Sequence, residues 1–138
     1  MNTYKKQIKQ IFEQNRIIVC PAIPNGEIIL NAKGINHLIY KGNRSRRETE
    51  RILTNIRLLP SAIKVLRFAT FIQEESFYIQ DNITYRFWTF EAVVDDRRIK
   101  VIVRQIGKGK KHFWSVIPAW RKDRYGILNA KRRLPEED

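Results

Sequence analysis

A chain of 138 residues, 43 % hydrophobic and 11 % aromatic, is long enough to bury a core without covalent staples and reads as a single globular unit. It carries 27 Lys and Arg against 14 Asp and Glu, a net charge of +13, which points to a polyanionic partner: nucleic acid first, then an anionic membrane surface or an acidic protein. The lone Cys20 excludes an intrachain disulfide, and no stretch is long and apolar enough to span a bilayer or to form a signal-peptide core, so a cytoplasmic protein is expected.

Tyr4, Ile8, Ile11 and Phe12 recur at helical spacing with Lys5, Lys6 and Lys9 between them, which predicts an amphipathic first helix. The short apolar run of residues 16–20 reads as a strand or a buried connection and residues 27–30 as another short strand, with Pro21, Pro24 and Asn25-Gly26 between them. Asn31 can cap a second helix whose buried stripe is Ile35, Leu38 and Ile39. His37 falls on another side of it, in line with Lys33 and Lys41. Ser45 and Glu48 match a capping box and predict a third helix from about Arg44 to Leu59. Pro60-Ser61 predicts a restart, with a further short helix through Ala69.

The period then changes. Residues 84–94, 98–106 and 112–118 alternate as strands, joined by Asp95-Asp96 and by Gly107-Lys-Gly-Lys-Lys111. Short turns between consecutive strands imply antiparallel pairing. The expected fold is α+β, with N-terminal helices packed on one face of an antiparallel β-meander, over residues 1–118. Residues 119–138 are expected to form a basic C-terminal arm or helix.

From Arg97 to Pro135 the only acid is Asp123, against thirteen Lys and Arg interleaved with Trp114, Trp120 and Tyr125. Cations track phosphates and aromatic faces stack bases. Candidate nucleic-acid contacts are Lys33, Lys41, Arg46, Arg47, Lys108, Lys110, Lys111, His112, Trp114, Arg121 and Arg124, with His112 read as a turn residue. A solvated basic face with core tryptophans would carry the same residues.

His37 is the candidate general base, because imidazole titrates near neutrality and neighbouring lysines would keep it neutral. Arg44, Arg46 and Arg47 offer guanidinium forks to phosphate at a helix start. Ser115 alternates with Phe113 and Ile117, a hydroxyl on an apolar strand face, and Arg104 lies on the preceding strand. One cysteine and two distant histidines make no zinc site. Asp95-Asp96 reads as turn chemistry, and no Walker loop is present.

The words Ile35-Asn-His37, Arg44-Ser45-x-x-Glu48, Leu59-Pro60, Lys100-Val-Ile-Val-Arg104 and Ser115-Val-Ile-Pro118, in that order, resemble the phage-associated branch of the barnase–EndoU–colicin–RelE-like nucleases. The resemblance covers roughly residues 30–118. It implies helices on an antiparallel sheet and metal-independent RNA cleavage on the sheet's exposed side, with no cofactor. It also implies a role in conflict between phages, mobile elements and hosts, with an acidic antitoxin or immunity protein as partner. Carried onto this chain, the catalytic set is His37, Arg44, Arg104 and Ser115. The rival expectations are a non-catalytic nucleic-acid-binding domain and a protein-interaction module for an acidic partner.

Overall fold

The computed structural model describes residues 2–40 and 47–118. Lys41, Arg44, Ser45, Arg46, Arg121, Arg124 and the expected C-terminal arm lie outside the described residues. Among the described residues, three helices, α1 (Asn2–Gln14), α2 (Ala32–Ile39) and α3 (Thr49–Phe68), pack with six strands. The strands are β1 (Ile17–Val19), β2 (Glu27–Ile29), β3 (Glu74–Gln80), β4 (Ile83–Val94), β5 (Arg97–Ile106) and β6 (Lys111–Pro118). They form one sheet in the order β1-β2-β6-β5-β4-β3, antiparallel except where β2 runs parallel to β6. The fold is α+β, as expected, and the meander is one strand longer than the three-stranded one anticipated.

Two of its turns are two-residue loops with both central residues at positive φ: Asp81 (53°) with Asn82 (65°), and Asp95 (51°) with Asp96 (63°). That is the backbone of a type I′ hairpin, whose twist matches the strands it joins, and Asp and Asn tolerate it better than most residues. The Asp95-Asp96 pair is therefore turn chemistry.

Alternation sorts the sheet into two faces. Phe90, Ala92 and Val94 of β4, Ile99, Val101 and Val103 of β5, and Phe113 and Val116 of β6 are buried against the helices. Phe12 of α1 meets Phe113 edge-on, with centroids 5.6 Å apart and planes at 89°. Such a pair adds about 0.5–1.5 kcal/mol beyond the area it buries. The other face carries Phe87, Thr89, Glu91, Lys100, Ile102 and Arg104.

Two helix boundaries differ from expectation. α3 begins at Thr49 behind Glu48, which makes no side-chain cap bond, and it runs unbroken through Pro60 to Phe68. A mid-helix proline removes one hydrogen bond and costs about 3 kcal/mol. Against that, Ile52, Leu59, Ala62, Ile63, Val65 and Leu66 hold one buried stripe across the proline, and burying it outweighs the local loss.

Candidate active site

The site forms where β2 stops short. β2 pairs with β6 only at Ile28↔Lys111 and Ile29↔His112. Past that point the end of α2 and the start of α3 lie beside β6. Asn31 caps α2 by accepting from the Lys33 amide at 3.1 Å. Gly34 lets the helix sit directly on the strand, because a Cβ there would lie 2.6 Å from the Phe113 carbonyl oxygen. Helix C-termini leave carbonyls without partners. Here α3 and Arg47, two residues before it, supply them: Arg47 Nε donates to the His37 carbonyl (2.8 Å), Asn55 Nδ2 to that of Leu38 (2.9 Å), and the Arg47 amide to that of Ile39 (2.7 Å). Arg51 donates to the Val116 carbonyl at 3.4 Å and ties α3 to β6. The carbonyls of His37, Leu38 and Ile39 at the end of α2 are thus each held from outside the helix.

β6 contributes a bulge. Val103 pairs with Phe113 and Ile102 with Ser115, so Trp114 has no partner on β5. A bulged residue is re-aimed out of the regular alternation. The Trp114 indole meets the His37 imidazole nearly face to face, with centroids 3.8 Å apart and planes at 16°. The Arg104 guanidinium carbon lies 3.4 Å from the same indole. Two approaches this close cannot share one face, so the indole is clasped between imidazole and guanidinium. Arg104 Nε also donates to His112 Nε2 at 3.0 Å. His112 hydrogen-bonds the Lys110 backbone as well, so with Nε2 accepting from arginine it is a neutral ring.

Residues from three elements therefore converge: His37 from α2, Arg104 from β5, and His112 and Trp114 from β6. Several sequence expectations change. Ser115 does not share a face with Phe113, because the bulge reverses the alternation between them. It lies with Ile102 on the face that also carries Arg104, and it is nearly covered. His112 is a buried strand residue rather than a turn residue. His37 is not open all round, since one side of its ring is taken by Trp114. Both indole faces are occupied, so Trp114 offers no free face to a base. Arg47 uses its Nε on a helix end. Lys108 and Lys110 stand exposed on the β5–β6 turn, whereas Lys111 reaches over Trp88 at 5.3 Å. Arg51 has no signal of its own in the sequence; its place in the first turn of α3 brings it to β6. Glu91, the nearest buried carboxylate on the outer face, sits two cross-strand pairs from Arg104 and faces Lys100 at 4.0 Å.

The electrostatics follow from this geometry. Burial first, then the charges of Arg47, Arg104 and Arg51, lower the His37 pKa from 6.5 to about 4. Burial, then Arg104, lower that of His112 to about 4, with Lys33 a lesser contributor and the Lys110 backbone bond opposing. The lysine effect expected on His37 thus comes from arginines. Between pH 6.5 and about 4 the folded state binds fewer protons than the unfolded chain. The associated stability is complete above pH 6.5 and is lost as pH falls toward 4. In the free protein, NMR titration of both imidazoles is expected to show midpoints near 4. Adding inorganic phosphate should move the His37 midpoint upward, because an anion among those arginines offsets their charge. A midpoint near 6.5 in the free protein would mean that neither burial nor the arginines act on the ring.

Among the described residues no three His, Cys, Asp or Glu side chains gather closely enough to hold a metal ion. No helix among them is long and apolar enough to cross a membrane. No family model, curated protein or solved structure matches this chain.

Proposed function

We propose that this protein is a metal-independent ribonuclease of toxin type. The observation that carries the reading is the convergence of His37, Arg104 and His112 around Trp114. In this reading the RNA 2′-hydroxyl attacks the adjacent phosphorus, and His37 takes the hydroxyl proton. The P–O5′ bond breaks as the P–O2′ bond forms, leaving a 2′,3′-cyclic phosphate and, once protonated, a 5′-hydroxyl. Arg104, held in place by His112 and Trp114, meets the charge that builds on the phosphoryl oxygens, where a pre-oriented fork is worth most. His112 is a positioning residue, since both its ring nitrogens are engaged within the protein. Ser115 lies one cross-strand pair along the same face, and in this reading its nearly covered hydroxyl would orient a non-bridging oxygen. The phosphate that binds also raises the proton affinity of His37, so the base is strengthened by its own substrate. An acidic antitoxin or immunity protein that covers these cations is the partner such a role calls for.

A second reading, RNA binding without cleavage, is favoured by one observation: a free-protein imidazole held near 4 is a weak base. Incubating the protein with labelled RNA in EDTA separates the two. Cleavage to cyclic-phosphate ends is expected, and intact RNA would leave binding alone. Under either reading affinity should fall steeply with salt, and Lys108→Glu with Lys110→Glu should weaken binding at every sequence. Affinity that is flat with salt would remove RNA as the partner.

A further inference from the structure

Trp114 has no face to give a base, so any stacking surface lies elsewhere. β3 and β4 supply one. Tyr78 stacks on Tyr85 across the strand pair, centroids 4.9 Å apart and planes at 11°, and on Phe87 at 5.8 Å and 20°. The three rings share the sheet face away from the helices, with Tyr78 against both of the others, because Tyr78 pairs with Tyr85, Phe87 with Arg104 and Tyr85 with Ile106. Tyr78 is 47 % exposed, on an edge strand exposed along its whole length. This cluster is flanked by positive charge at both ends. At the Phe87 end, Arg104 is its direct cross-strand partner. At the Tyr85 end, the Gly107 amide donates to the Thr84 carbonyl at 2.8 Å and holds the Lys108–Lys110 turn alongside. Glu75 turns to the opposite face, where it accepts from Trp88 Nε1 at 3.0 Å. Glu74 lies one cross-strand pair beyond Phe87 and marks where phosphate is no longer favoured.

We propose that Tyr78, backed by Tyr85 and Phe87, forms through its exposed surface a base-stacking subsite for single-stranded RNA, continuous with the Arg104 cluster. Flat aromatic faces between cations match unpaired bases on a phosphate backbone, and a base inside a duplex has no face to offer them. The protein therefore selects unpaired RNA, with the phosphate beside the stacked base directed to Arg104. The choice of RNA rests on the function proposed above, but the subsite is tested by binding alone.

The probe is a labelled 2′-O-methyl RNA decamer, which has no 2′-hydroxyl to attack with and cannot be cleaved by this route. Its duplex and an abasic decamer of equal charge serve as comparisons. Tyr78→Ser should weaken binding of the single strand by about tenfold, the usual scale for one stacked base. Tyr78→Phe should bind as the unchanged protein does, and the duplex and abasic chains should bind both variants equally. If Tyr78→Ser does not fold by circular dichroism, Phe87→Leu, which keeps apolar bulk without a ring, takes its place. Unchanged single-strand affinity, or an equal loss on the abasic chain, would overturn the subsite. Stack-dependent binding with no cleavage of ordinary RNA in EDTA would remove the ribonuclease and keep the subsite. Cleavage with unchanged binding in these variants would do the reverse.

Discussion

Replacing His37 by phenylalanine is expected to slow RNA cleavage by about 10²–10⁴-fold, the usual cost of losing a general base. Phenylalanine is the informative choice because the imidazole does two things. It offers a nitrogen to a proton, and it covers one face of Trp114 at 3.8 Å. His37→Ala would remove both and free the indole to move, taking Arg104 with it. A phenyl ring keeps a flat partner for the indole, and the Arg47 bond to the residue-37 carbonyl is a backbone bond that survives any side chain. Circular dichroism and affinity for a non-cleavable RNA should therefore be nearly unchanged while the rate collapses. Full activity in His37→Phe would take histidine out of the chemistry.

Gly34→Ala is expected to destabilise the protein by about 1–3 kcal/mol, the range for overpacking a tight contact. Helix propensity alone argues the opposite, since alanine in a helix interior is better than glycine by about 1 kcal/mol. The close approach decides the sign. The new methyl would sit 2.6 Å from the Phe113 carbonyl oxygen and 3.1 Å from Phe12 Cε2. The first obstacle is backbone and cannot rotate away. α2 must lift from β6, and His37, three residues on, is drawn off Trp114. A lowered melting temperature together with altered tryptophan emission is the expected pair of observations. A stabilised Gly34→Ala protein would mean that α2 does not lie this close to the strand.

What was readable in the sequence was set by short-range rules. Asn31 and the stripe of Ile35, Leu38 and Ile39 placed α2, and the turn residues at Asp95-Asp96 and Gly107–Lys110 placed three strands in antiparallel order. β3 was missed although Asp81-Asn82 is the same kind of two-residue turn as Asp95-Asp96. Its residues are exposed on both faces, so no alternation of polar and apolar side chains announces a strand. Pro60 reads as a helix break because its local cost is visible in the sequence, whereas the tertiary burial that overrides it is not. In the site, His37 and Arg104 were named from their chemistry. Their meeting on Trp114 depends on where β2 leaves β6 and on a bulge, neither of which has a local sequence signature.

That bulge has a further meaning for how the chain encodes its parts. Phe113 faces the helices, Ser115 faces away and Val116 faces the helices again, so with Trp114 struck out β6 would read as an unbroken alternation. The ladder has no use for the residue; every neighbour keeps its side without it. Trp114 is one letter added to a strand already complete, and the pairing around it is the spelling of a scaffold that stands independently of the cluster it carries. The cluster can accordingly be edited, emptied or rebuilt through one position of β6 while the hydrophobic grammar of the domain stays the same.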